Sequence, residues 1–251
     1  MMLPLLLLIS LCVGVLIGAV GVGGVLLIPA LNVTADLSIQ QSMATALFTF
    51  IFTGIVGTWL FQKRGSIDWG ITVPLCVGAA LFGFLGAWAN TWLDSRVLTL
   101  ILAGLIVFAG VYTLRGRTGS HQEAFAGQRR RQQWLLACIG AAVGFGSGLT
   151  GVGGPALSVP LLLLFGFSPL SAIGASQVIQ ILASVSGTLG NLQFGTIDFK
   201  LAAIVAVVEV IGVVIGVRIV HAVNAQALRK AVAILCLLVG AGLALRAFGV
   251  L

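Results

Sequence analysis

A single acidic residue, Glu209, stands in the middle of the apolar run AAIVAVVEVIGVVIGVR, about nine residues from either end. A carboxylate is costly to bury at such a depth, so the group is protonated, paired or facing water. It offers a coupling proton; the plainer reading is a neutral, hydrogen-bonded structural side chain. A second set consists of hydroxyls and amides at helical spacing. Thr45 and Thr49 share a face at i, i+4, Ser176 and Gln180 repeat that spacing, and Gln177, Ser147 and Thr150 are close by. A third set is the motif GVGG, which occurs twice and supplies Gly21, Gly23 and Gly24, then Gly151, Gly153 and Gly154. Glycine admits a ligand to the backbone with no Cβ in the way. A short helix starting after GVGG presents unpaired N–H groups and the positive end of its dipole, which suits an anion. The predicted cradle is therefore these six glycines with Thr45, Thr49, Ser176, Gln177 and Gln180. The competing reading is close helix packing through small-xxx-small patterns.

These residues sit on elements that only a membrane accommodates. Of the 251 residues, 59% are hydrophobic and 8% charged, against about 25% charged in an ordinary soluble domain. So few charges cannot cover a globule, which excludes a soluble enzyme, a nucleic-acid binder and a disordered chain. Apolar segments span about 3–31, 42–61, 70–92, 97–114, 134–165, 169–190, 201–221 and 228–248. They are continuous rather than alternating, so they predict an all-α polytopic protein and not a transmembrane barrel. The net charge of +7 is assigned to cytoplasmic loops, where Lys and Arg collect, and no nucleic-acid partner is expected. The start MMLPLLLLISLCVGVLIG has no basic leader region and runs into more membrane sequence, so no cleaved signal peptide is expected.

The chain repeats itself. GVGG recurs at an offset of 130, as does GSIDW at 65–69 in the form GTIDF at 195–199, and MATA at 43–46 faces GASQ at 174–177 at offset 131. The predicted domains are a first transmembrane repeat (1–114), a basic cytoplasmic linker (115–131) and a second transmembrane repeat (132–251). Each repeat holds four hydrophobic helical segments, the first of them broken at its Gly-rich motif. Residues 3–31 would form a helix about 43 Å long, too long for one simple crossing and too short for two. Matched broken segments are the best sequence-level pointer to a transporter site between repeats.

Two topologies fit these segments. If all eight cross, the repeats run parallel; if the broken segments are re-entrant, the repeats are inverted and Lys200 lies on the face opposite the linker. The linker, with Arg115, Arg117 and Arg129 to Arg131, is cytoplasmic in both. Arg218 is assigned to an interface by snorkelling, and Asp68 and Asp198 to helix caps. Cys12, Cys76, Cys138 and Cys236 are read as small buried hydrophobes.

Enzyme motifs fail. There is no HExxH, no Cys/His metal cluster and no P-loop, and Phe145-Gly146-Ser147 lacks the first glycine of a GxSG. No cofactor and no metal is expected. The leading reading is a secondary transporter of a small anion; the alternative is a membrane-embedded enzyme or a non-transporting membrane subunit. Partners are the anion, the lipid bilayer and protons as coupling ion, with a homo-oligomer left open.

The ordered set GVGGVLLIP (21–29), MATA, GSID, then GVGGPALSVP (151–160), GASQ and GTID resembles the sulfite exporter TauE/SafE family of membrane transporters. Where that family tends to carry a third glycine, Val25 and Pro155 stand here. The resemblance implies movement of sulfite, sulfonates or related organosulfur anions across the bacterial inner membrane.

Overall fold

The computed structural model describes residues 3–21, 23–115, 125, 127–194, 196–219, 234, 237–238, 240–245 and 247–248. Among them there is helix and no strand. The helices are α1 (Leu3–Val20), α2 (Leu27–Thr34), α3 (Ile39–Lys63), α4 (Trp69–Asn90), α5 (Ser95–Arg115), α6 (Arg129–Thr150), α7 (Pro155–Leu164), α8 (Pro169–Phe194) and α9 (Phe199–Ile219). A 3-10 turn, Gly24–Leu26, precedes α2. Six of these helices, α3 to α6, α8 and α9, contain stretches long and apolar enough to cross a bilayer. The described parts of the eighth expected segment, at 234, 237–238, 240–245 and 247, are helical. Most of the linker, His221, Arg229, Lys230, Cys236 and Arg246 lie outside the described residues.

Local chemistry sets the ends. Ser38 and Gln41 form a reciprocal capping box at the start of α3. The Asp68 carboxylate accepts from the Gly70 N–H at 2.8 Å, and the Asp198 carboxylate from the Leu201 N–H at 2.9 Å, so both aspartates cap the helix that follows. Helix α6 stops at Gly151, whose φ of 67° is left-handed and whose N–H reaches the Ser147 carbonyl at 2.8 Å. Gly21, with φ of 78°, ends α1 in the same conformation.

Glycine seams fix the directions of the helices. Gly140, Gly144 and Gly148 on α6 lie against Leu75, Ala79 and Gly83 on α4, so α4 and α6 run parallel. Gly14 and Gly18 on α1 lie against Glu209 and Val213 on α9, again parallel. Helix α8 runs against α3: Gly187 meets Leu47, Gln180 bonds to Phe50, and Gln177 meets Gly57. Since α4 reverses α3 and α9 reverses α8, α1 runs in the direction of α3, and α6 in the direction of α8. Each short helix in between carries the chain back. Gly23 is folded onto the Val13 carbonyl and the Ile17 N–H of its own α1, and Gly146 faces the Leu157 side chain across the second reversal. These directions fit the arrangement in which the broken segments are re-entrant. A left-handed glycine at the end of α1 and of α6 reverses the chain rather than bending it.

The seams also settle the role of four glycines. Any Cβ on Gly14, Gly18, Gly144 or Gly148 would collide with backbone of the facing helix, so these positions serve close packing. The outward faces are apolar stripes at i, i+4: Val77, Leu81 and Leu85 on α4, Val207, Ile211 and Ile215 on α9, all exposed. Water does not favour such stripes; lipid tails do. Cys76 is buried as expected, whereas Cys12 and Cys138 are on the exposed apolar surface.

Candidate functional site

The two reversals meet in the interior, between α3 and α8. A Cβ placed on Gly24 would lie 2.8 Å from Cζ of Phe50 and 3.0 Å from the Val152 carbonyl oxygen of the other tip. One on Gly153 would lie 2.9 Å from Cδ2 of the same ring. Phe50 is thus wedged between the tips, and only glycine leaves room for it. Gly21 faces Pro155 and the Ser176 hydroxyl, and Gly154 faces the Gln180 backbone. Ile17, Gly21, Gly24, Phe50, Val152, Pro155, Ala156 and Gln180 line a gap with no room for a water-sized sphere. The site is closed.

Its electrostatics come from dipoles. Gly23, Gly24, Val152, Gly153 and Gly154 are buried, and among the described residues their N–H groups donate to no carbonyl. Buried N–H groups without partners are rare in proteins; among the described residues these five, at two apposed tips, find no carbonyl acceptor. No basic side chain lines the cavity. The hydroxyl of Ser158 on α7 and that of Ser147 on α6 are also buried and unpartnered.

The polar faces of α3 and α8 are placed as follows. Gln180 donates from Nε2 to the Phe50 carbonyl at 3.0 Å and to Oγ1 of Thr53 at 2.7 Å, tying the two helices together at the cavity wall. Ser176 donates to the Ile173 carbonyl at 2.7 Å, beside Gly21. Gln177 is fully buried with both amide atoms unpartnered. Thr49 donates to the Ala46 carbonyl at 2.8 Å and neighbours the carboxyl of Glu209. Glu209 is fully buried, and the Thr49 hydroxyl is the polar group nearest its carboxyl. Thr45 lies further off: its Oγ1 accepts from the Asp198 N–H at 3.2 Å, at the turn before α9. Gly151 packs on Met43.

Of the predicted cradle, Gly21, Gly24, Gly153, Gly154, Ser176 and Gln180 are thus gathered around the cavity. Gly23 turns its open face to α1, and Thr45 serves a turn at the far end of α3. Sequence reasoning missed Phe50 and Thr53. Thr53 was within reach, since it extends the i, i+4 stripe Thr45–Thr49 by one turn. Phe50 is one of 14 phenylalanines and carries no local signal. Among the described residues no group of His, Cys, Asp and Glu is arranged to hold a metal ion.

Set beside known proteins, residues 6–243 match the family model described as sulfite exporter TauE/SafE. The chain belongs to the sulfite exporter TauE/SafE family. It is 24% identical over 233 residues to the probable membrane transporter protein YdhB of Bacillus subtilis, covering 91% of this chain and 94% of that one. It is 22% identical over 245 residues to a probable membrane transporter of Methanocaldococcus jannaschii, covering 91% of this chain and 90% of that one. A third relative, the probable membrane transporter protein YunE of Bacillus subtilis, is 26% identical over 216 residues, 75% of this chain and 79% of that one. No solved structure matches the chain. As a TauE/SafE member with six apolar helices, the protein is a multi-pass membrane transporter and not an enzyme.

Proposed function

We propose that this TauE/SafE protein is a secondary transporter that moves a small anion, sulfite, a sulfonate or a related organosulfur anion, across the bacterial inner membrane. The anion binds between two inverted repeats, 1–114 and 132–251, where the broken first segments meet. The observation that carries this reading is the pair of apposed glycine tips with five buried N–H groups that meet no carbonyl among the described residues. Donors without formal charge hold an anion and still release it, which a carrier needs. The dipole of α7 adds to their field. Gly21, Gly24, Gly153, Gly154, Ser176 and Gln180 form the near part of the site, with Gly23, Thr49 and Gln177 behind its walls; Thr45 and Gly151 stand away from it.

Orientation follows from charge. Lys63, Arg64, Arg129, Arg130, Arg131 and Arg218 stand at the linker end of the described helices, against Arg96 and Lys200 at the other end. The positive-inside rule then puts the linker in the cytoplasm. The closed cavity is the occluded state of the cycle, and Phe50 is the side chain that moves when the site opens.

The test is flux. Purified protein in liposomes is loaded with unlabelled sulfite, sulfate or methanesulfonate, and uptake of the labelled anion is followed at equal pH. The reading expects exchange of at least one of them, lost in Gly153→Leu. Absence of exchange for the whole panel would refute it.

A further inference from the structure

We infer that Glu209 is a proton site linked to the anion site, so that one proton travels in the same direction as each anion. The inference rests on the anion reading above and names its driving ion. Glu209 is the only acidic residue of α9. It is fully buried, and Thr49 is the polar side chain beside it.

Its neighbours on α3 and α1 stand within one helical turn of residues that line the cavity. Thr49 precedes Phe50, the ring that fills the gap between the tips, and Gly14, which packs on the Glu209 backbone, lies one turn before Ile17, another lining residue. The counterpart of Glu209 at offset 130 is Ala79, so the carboxyl breaks the likeness of the two halves at one point. A residue needed only for packing has a working substitute there already, because Ala79 fills the same kind of seam against Gly144.

Among the described residues no cation holds the carboxyl in place. Helices α1 and α3 pack against α9. The titratable side chain of α1 is Cys12, which is on the outer surface, and that of α3 is Lys63, at its end. On α9 itself, Lys200 and Arg218 are each nine residues away. With no counter-charge beside it among the described residues, an ionised Glu209 is costly to keep in the closed form. An ionised carboxylate and an anion in the adjoining cavity would repel each other through a medium that screens poorly. Protonation of Glu209 removes that repulsion, so each ligand favours binding of the other. The loaded carrier therefore moves an anion and a proton together. For a monovalent anion the net charge moved is zero.

The test uses the full chain in proteoliposomes, with methanesulfonate as one probe and sulfite as the other. Methanesulfonate stays ionised over the working range, so its own titration cannot mimic coupling. Two quantities are read: exchange at equal pH and accumulation against an imposed pH gradient. The parent is expected to accumulate methanesulfonate about tenfold per pH unit, acid outside, by mass action on one proton. A potassium diffusion potential should leave that ratio unchanged. Glu209→Gln keeps the shape and is expected to retain exchange while losing all pH-driven accumulation; Glu209→Asp restores part of it. Accumulation that follows the potential instead of the pH gradient overturns the inference, as does Glu209→Gln with parental pH-driven accumulation. If neither probe exchanges in the parent, the anion reading falls first and the coupling falls with it. If exchange persists without coupling, the anion reading stands and the proton site alone is rejected.

Discussion

Gly24→Ala places a single methyl group where the two tips and α3 converge. The added carbon would sit 2.8 Å from Phe50 Cζ and 3.0 Å from the Val152 carbonyl oxygen, whereas carbons at rest stay about 3.5–4.0 Å apart. The ring or the opposite tip has to retreat by several tenths of an ångström. Overpacking of that kind costs about 1–3 kcal/mol. Gly24 needs no left-handed backbone, so the clash is the whole effect, and it is removable. Phe50→Leu deletes the outer ring atoms and costs about 1–2 kcal/mol in lost burial. The double variant Gly24→Ala with Phe50→Leu should therefore be less destabilised than the sum of the singles, by about 1–2 kcal/mol, the size expected for residues in contact. Gly153→Ala meets the same ring at 2.9 Å but also requires φ of 82°. Its strain of about 1–2 kcal/mol should survive Phe50→Leu. The assay is unfolding of the three single and two double variants in detergent, followed through the fluorescence of the five tryptophans. Additive costs for Gly24 and Phe50 would refute the wedge.

Further expectations follow from the seams and the wall. Gly144→Ala drives a Cβ into Ala79 backbone on α4, whereas nothing lies within 4 Å of a Cβ on Gly104; the first should lower the thermal midpoint sharply and Gly104→Ala should raise it slightly, by about 0.5–1 kcal/mol of helix propensity. Gln180→Leu removes the donor to Phe50 and Thr53 and should cost about 1–3 kcal/mol in denaturant unfolding, with weaker anion exchange. In a cysteine-free background, Lys200→Cys should react with an impermeant thiol reagent from the face opposite the linker; reaction from the linker face would contradict the antiparallel course of α3 and α8.

Much of this architecture was legible in the chain. Hydropathy marked the helices because a bilayer tolerates little else, and the glycine clusters marked where α1 and α6 end. Asp68 and Asp198 were legible as caps, since the chemistry of a cap is local. The sense of the break was not. Whether a glycine bends a helix or reverses it depends on what its backbone meets, here Val13 and Ile17 for Gly23. The split of the glycines into two roles was hidden for the same reason. Gly144 and Gly148 read like Gly153 in sequence, yet the first two face backbone of α4 and the third faces a phenylalanine ring. Thr45 matches Ser176 by offset but not by place, because its hydroxyl is taken by the turn at Asp198. Tertiary contacts of this kind leave no mark on spacing.

The claim on which the rest depends is that an anion binds between the two glycine tips. Selenite, the heavier congener of sulfite, makes the claim directly visible through anomalous scattering in a crystal of the protein soaked or grown with it. The account predicts a selenium peak between Gly24 and Gly153, next to Phe50 and Gln180, with the ring displaced to admit it. A peak confined to the exposed groove at Ser95 and Arg96, with the tips still closed on Phe50, would contradict it.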